Sequence, residues 1–157
     1  MKEVALRRWF PMESKEPDII YCQKSDKNLY DALADEDIFK GLDLKHIFIM
    51  AMVLGFRENK REKIQQKEPG GLFRVSYLND TEKALIKSIA VSTENGNLEV
   101  LLDKKKVYSI AEEYANGGLR LLKNLILIDT EKIGSFNKIL GGYLLEEVNK
   151  ISKNESR

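Results

Sequence analysis

Val107-Tyr-Ser-Ile-Ala-Glu-Glu-Tyr-Ala-Asn-Gly-Gly-Leu-Arg-Leu-Leu122 decides how this chain folds. Glycine inside a helix costs about 1 kcal/mol relative to alanine, and Asn116-Gly117 by itself is a strong turn signal. Yet apolar or small residues recur at Val107, Ala111, Tyr114, Gly118, Leu121, Leu125 and Ile128, in alternating steps of four and three. That alternation is the signature of one helical face. A chain reversing at Asn116-Gly117 would have no reason to keep the register. The segment therefore reads as one helix, with Gly118 on its buried stripe, where the missing Cβ admits another backbone. Two helices hinged at the dipeptide are the alternative. Tyr114, Asn116, Gly117 and Gly118 are the candidate packing or partner-binding residues, and the sequence leaves open whose backbone enters the notch.

Working outward, Asp43 is a plausible N-cap for a helix running to Gly55, which reads as its C′ terminator. Residues 47 to 54 of that helix are apolar on every side, which predicts a central position with contacts all round. A polar connector, Arg57 to Lys67, follows, and Pro69-Gly70-Gly71 closes it as a loop. Upstream, residues 1–25 read as an irregular arm holding Pro11 and Pro17, with a short strand at Asp18–Cys22. Trp9, Phe10, Ile19 and Ile20 would pack the arm on the body. Ser25 or Asp26 caps a short helix carrying Leu29, Tyr30, Leu33 and Ala34.

Between connector and opening helix, Leu72–Leu78 reads as a short strand. Asn79 or Asp80 caps a helix with Ala84, Leu85, Ile89 and Ala90 inward, ended by Glu94-Asn-Gly-Asn97. Leu98–Leu102 is ambiguous between strand and helix. A last helix spans about 131 to 151 and contains Gly141-Gly142; residues 153–157 read as a frayed tail. The expected fold is mainly α: one compact helical domain over 26–152, of about five helices, with at most a small β element.

Composition narrows the function. In 157 residues, 26 basic side chains nearly balance 25 acidic ones, for a net charge of +1. Overall charge thus favours no nucleic-acid partner, and only local clusters count. No apolar run reaches the roughly 18 residues of a membrane span, and the N-terminus lacks the apolar core of a signal peptide. A single cysteine, Cys22, forbids an internal disulfide. A cytoplasmic setting is the expectation.

One histidine and one cysteine are too few for structural zinc, which takes about four ligands. No metal or other cofactor is expected. His46, in the most apolar helix, reads as a core or subsurface residue with one nitrogen satisfied, and nothing near Cys22 suggests thiolate activation. Phosphate-binding glycine loops are absent from the sequence. A metal-dependent nuclease would need Asp80, Asp103 and Lys105 at strand ends; the competing reading makes Asp103 an N-cap. Three basic clusters could meet DNA phosphates: Arg7-Arg8; the connector, with Arg57, Lys60, Arg61 and Lys63; and Lys104, Lys105 and Lys106. Glu58 and Glu62 dilute the connector's field.

Three pieces in order give the chain a family likeness: Leu29-Tyr-Asp-Ala-Leu33 leading into Ile38-Phe39; Ala51-Met-Val-Leu-Gly-Phe-Arg57; and Glu112-Glu-Tyr-Ala-Asn-Gly-Gly-Leu-Arg-Leu-Leu122. Over roughly residues 27 to 126 the chain resembles DNA phosphorothioation-associated (Dnd system-associated) protein 4. The resemblance implies an accessory role in cassettes that place sulfur in the DNA backbone or restrict DNA lacking that mark. It supplies no catalytic residues. The resulting expectation is a non-enzymatic accessory protein of an anti-phage system. It would bind other cassette proteins, with double-stranded DNA as a second partner.

Overall fold

The computed structural model describes residues 13–127. The chain divides into two compact units after Leu121, and of the second only residues 122–127, the end of a helix, are described. Four helices fall among the described residues: α1 (Lys27–Ala34), α2 (Leu44–Arg57), α3 (Asp80–Thr93) and α4 (Lys104–Leu127). Two short strands, β1 (Ile19–Ile20) and β2 (Phe73–Arg74), pair antiparallel, with Ile19 opposite Arg74 and Ile20 opposite Phe73. The fold is mainly α, and four of the about five expected helices fall among the described residues. The expected fifth helix over 131–151 lies outside the described residues, as do Trp9 and Phe10.

Helix α4 runs unbroken through Asn116-Gly117-Gly118, so the register outweighed the turn signal. Between Ile110 and Leu119 every residue except the half-buried Glu113 is buried. This helix, rather than α2, is contacted all round. Helix α2 buries Ile47, Phe48, Ala51, Met52 and Gly55 on one side, while Val53 opposite stays 40% exposed. Apolar composition made α2 tolerant of burial, but α1, β2 and α4 supply neighbours on one side only. Phe48 meets Phe73 of β2 edge to face, with ring centroids 5.4 Å apart.

Gly55 does not terminate α2. The helix continues to Arg57, and the chain turns at Asn59, whose φ of 52° lies in the left-handed region that asparagine tolerates. Gly55 serves packing instead. A Cβ built on it would overlap the Tyr114 carbonyl oxygen. A Cβ on Gly118 would overlap the Ala51 carbonyl oxygen and come within 2.6 Å of the Gly55 nitrogen. Helices α2 and α4 thus cross backbone on backbone, a glycine from each at the contact.

Asn79 caps α3. Its Oδ1 accepts from the Glu82 N–H at 2.8 Å, and Glu82 Oε2 accepts from the Asn79 N–H at 2.8 Å, a reciprocal capping box. The inward face is Ile86, Ile89 and Ala90, whereas Ala84 and Leu85 are exposed. Ile86, three and four residues before Ile89 and Ala90, takes the inward place expected of Ala84 and Leu85. Leu98–Leu102 forms a 3-10 helix, and only Phe73–Arg74 of the expected strand Leu72–Leu78 is extended and paired. Ser14 ties the arm to α4: its N–H donates to Leu102 O at 2.8 Å and its Oγ accepts from Lys104 N at 2.6 Å.

Candidate functional site

The segment Glu58–Glu68 has no helix and no strand partner along most of its length, yet it is held at many points. Lys60 N–H donates to Gly55 O at 2.7 Å, and Glu62 N–H to Glu113 O at 3.1 Å. The buried Asn116 side chain donates Nδ2–H to Glu62 O at 3.1 Å and to Lys63 O at 3.4 Å. Gly117 lets the Lys60 backbone lie against α4, since a Cβ there would overlap the Lys60 carbonyl oxygen. At the far end, Gln23 Oε1 accepts from the N–H groups of Gln65 (2.8 Å) and Gln66 (3.3 Å). Gln23 also pairs with Lys67 as an antiparallel bridge. A loop that would otherwise be mobile is pinned along α4 by backbone contacts and by two amide side chains.

Asn116, Gly117 and Gly118, singled out from the sequence, therefore face the chain's own backbone: Gly118 receives α2, while Gly117 and Asn116 receive the connector. Tyr114 is buried beside them. Its ring meets Phe56 edge-on at 5.4 Å, its hydroxyl accepts from Thr93 Oγ1 at 3.3 Å, and the Arg61 guanidinium lies 6.0 Å from its centroid.

Glu112, which the sequence reading missed, is buried beside this site. Its Oε1 accepts from the Tyr21 N–H at 2.7 Å, and its Oε2 lies 3.5 Å from Lys67 Nζ. Lys67 in turn sits over the Tyr21 ring, 4.5 Å from its centroid. A signal was present in the sequence. Tyr108, Glu112, Ala115, Leu119 and Leu122 form a second stripe with the same four-and-three steps, and Glu112 is its charged member. Burial raises the Glu112 carboxyl above its ordinary range, against the lowering effects of the Tyr21 N–H and Lys67.

A raised folded-state value means that the folded chain binds more protons than the unfolded one in the window above the unfolded value. The contribution of Glu112 is thus fully present below that value and is lost as pH rises through the folded one. Glu82 and Glu16 slope the other way. Burial raises each, but hydrogen bonds and lysines outweigh it and lower both, so their contribution fades as pH falls. Glu112→Gln keeps an acceptor for Tyr21 and removes the first slope. Urea midpoints between about pH 4 and pH 8 should show the variant gaining on the wild type as pH rises. A constant difference would mean that Glu112 does not titrate in that window.

The connector's cations are largely neutralised. Arg61 pairs with Glu113, Lys67 with Glu112 at 3.5 Å and Arg57 with Glu58 at 3.5 Å, while Arg120 of α4 takes the connector's Glu62 at 3.1 Å. Lys60 and Lys63 are exposed and have no ion-pair partner among the described residues. Lys104 and Lys106 occupy the first turn of α4, paired with Glu13 at 3.1 Å and Glu94 at 2.9 Å, and Lys105 is exposed between them. The structure thus keeps these two basic clusters on separate elements, each laced with carboxylates; the third, Arg7-Arg8, lies outside the described residues.

The strand-end arrangement for a nuclease is not formed. Asp103 is the N-cap of α4, its Oδ1 accepting from Lys106 N at 3.1 Å, and Asp80 is the first residue of α3. Among the described residues no group of three or more His, Cys, Asp or Glu side chains could hold a metal ion. His46 Nδ1 accepts from the Asp43 N–H at 3.0 Å, which occupies one ring nitrogen. Cys22 is buried, and burial pushes its thiol up to about 11. A thiol so placed is a poor nucleophile.

A family model for DNA sulphur modification system-associated protein 4 matches residues 20–156, a span that takes in α1, α2, the connector, α3 and α4. The chain belongs to that family. No curated protein and no solved structure matches it. The family's name places this protein in association with a DNA sulphur modification system, alongside that system's other proteins. All three sequence pieces that carried the resemblance lie inside the matched span. Two of them, Ala51–Arg57 and Glu112–Leu122, are the two sides of the glycine crossing, and both contribute to pinning the connector. No described helix is long and apolar enough to cross a membrane.

Proposed function

We propose that this family member is a non-catalytic accessory component of its DNA sulphur modification system. In this reading it serves the restriction side of the system and binds a larger protein of the same cassette through the pinned connector. One observation carries the reading: buried polar groups of the central helix are spent on holding a polar loop in one shape. Burying an amide costs free energy unless its hydrogen bonds are met, and Asn116 meets them with connector carbonyls. Loops fixed by a rigid scaffold are where binding residues concentrate. The unactivated thiol of Cys22, the engaged imidazole of His46 and the capping role of Asp103 support the non-catalytic part.

The test uses the purified, co-encoded proteins of the system, each assayed for binding to the full-length protein. At least one is expected to bind, and the double variant Lys60→Glu, Lys63→Glu is expected to weaken it by at least about tenfold. Equal binding of variant and wild type would move the contact off the connector. Absence of any bound cassette protein would end the accessory-binding reading.

DNA is the second reading, favoured by the two unpaired lysines. Two phosphate contacts give a log–log salt slope of only about −2, so this version predicts weak binding to duplex DNA. Reversing the charges of Lys60, Arg61 and Lys63 would abolish it. No duplex binding at about 50 mM salt would remove the DNA version.

A further inference from the structure

A groove of about 550 Å³ lies at the N-terminal end of α2. Asp43, Leu44 and Lys45 line one wall, and Leu72, Phe73 and Tyr77 line the other. A bridge fixes the two walls together. Lys45 Nζ donates to Tyr77 O at 3.0 Å and to Glu82 Oε2 at 3.1 Å, and that same oxygen accepts from the Asn79 N–H in the cap of α3. The backbone around Tyr77 is also anchored from within: Val75 and Leu78 are buried, and the Leu78 N–H donates to Val75 O at 3.0 Å. Yet the Tyr77 side chain stands 62% exposed and meets no ring or cation among the described residues. Leu42, next in the chain to the lining Asp43, is 41% exposed. An exposed tyrosine on a backbone that needs no ordering, beside an apolar groove, has the profile of an interface anchor.

The charge around the groove selects its occupant. Of the five charged residues from 35 to 43, four are acidic, Asp35, Glu36, Asp37 and Asp43, and none of these has an ion-pair partner among the described residues. The loop that carries them is compact: Lys40 N–H donates to Asp37 O at 3.2 Å, Leu42 N–H donates to Phe39 O at 2.8 Å, and Phe39 is buried. Lys45, the cation in the groove wall, is neutralised by Glu82. We propose that this groove docks a linear, basic segment of a partner protein, which inserts an apolar side chain beside Tyr77 and sets its lysines or arginines against the acidic loop. An arginine of that segment can also lie over the free face of the Tyr77 ring. Unpaired carboxylates repel phosphodiesters and anionic lipid surfaces, so the occupant is a protein. The 14 residues of α2 separate the groove from the connector by about 20 Å. The connector offers cations and the groove carboxylates, so this second surface is independent of the first.

The experiment tiles the co-encoded proteins of the system as overlapping peptides of about 15 residues and measures their binding to the full-length protein by fluorescence anisotropy. At least one should bind, and it should be net basic with a large apolar residue. Tyr77→Ala should weaken it by at least about tenfold, and Tyr77→Phe by less than about twofold. Asp43→Asn, which keeps an N-cap residue, should weaken it a few-fold at low salt and less at high salt. Lys60→Glu, Lys63→Glu should leave the affinity within about twofold, because those charges lie beyond a Debye length. Tyr77→Ala should melt close to wild type, since the ring it removes is mostly in solvent. Should it misfold, backbone amide shifts of the wild type replace it, and these must move on peptide addition at Leu44, Phe73 and Tyr77. Undiminished binding to Tyr77→Ala, or shifts that avoid those three residues, would show that the groove is not the contact. No bound peptide, or net-acidic peptides bound through Tyr77, would overturn the proposal, while intact cassette proteins held by the connector would leave the accessory reading standing. Self-association lost in Tyr77→Ala would assign the groove to a second copy of the chain and overturn the proposal as well.

Discussion

Gly118→Ala is expected to destabilise the folded chain by at least about 3 kcal/mol, the upper range for overpacking. The added methyl would overlap the Ala51 carbonyl oxygen and crowd the Gly55 nitrogen, and both are backbone atoms of α2. No rotamer change relieves a clash between backbone and Cβ, so the helices must part along the crossing. That parting would loosen the packing of Ala51, Met52, Tyr114 and Ala115, which are all buried. Urea denaturation of the purified variant measures the loss. Gly70→Ala is the control: its Cβ meets nothing within 4 Å, so the same methyl should change stability by less than about 0.5 kcal/mol. Similar effects at the two positions would mean that α2 and α4 do not meet at Gly118. A Gly118→Leu variant therefore says little about partners, because the notch is filled by the protein's own helix.

Asn116→Leu has the second-largest expected effect. The substitution keeps the number and branching of side-chain heavy atoms but leaves Glu62 O and Lys63 O without their donor and buries no amide in exchange. A cost of about 1–3 kcal/mol follows from the lost hydrogen bonds, less whatever the apolar replacement gains. The diagnostic readout is local. Native-state hydrogen exchange at the amides of Lys60 and Glu62 should accelerate, since their acceptors Gly55 O and Glu113 O then hold a loop with one fastening fewer. Amides in the middle of α3 should exchange as before. If Glu62 keeps its protection, the connector is fixed by its other contacts and Asn116 is an ordinary core residue. Because binding is assigned to the pinned shape, partner affinity should fall with the same variant, although Asn116 itself is buried.

What was legible in the sequence were features with a local period. The unbroken stripe through Val107, Ala111, Tyr114 and Gly118 yielded one helix where the dipeptide argued for two. Asn79, offered together with Asp80 as the cap of α3, takes that role. The misreadings share a cause: they depend on where neighbours stand. Gly55 looked like a terminator because glycine so often ends helices, and only the opposing Gly118 makes it an interior contact residue. Helix α2 looked central because nothing polar interrupts it, but composition cannot count neighbours.

The candidate site was legible in part. Asn116 and Gly117 stood out as anomalies in a helix, and the connector stood out by charge. Their union was not legible, since it depends on an amide reaching carbonyls more than fifty positions earlier in the chain. Charge counting along the connector also fell short, because Glu113 and Glu112 neutralise Arg61 and Lys67 only when the segments are folded together.

The placement of Asn116 has a consequence for the age of the molecule. Asparagine followed by glycine is the pair most prone to spontaneous loss of ammonia, when the glycine nitrogen attacks the side-chain carbonyl carbon and closes a five-membered imide. Within α4 the Gly117 nitrogen is fixed in the helical ladder, and the Asn116 amide is committed to Glu62 and Lys63. The other such pair, Asn95-Gly96, has its glycine N–H tied to Val91 O at 2.8 Å. Folding therefore shields the chain's two most perishable peptide links, and the helix that organises the protein also sets its chemical shelf life.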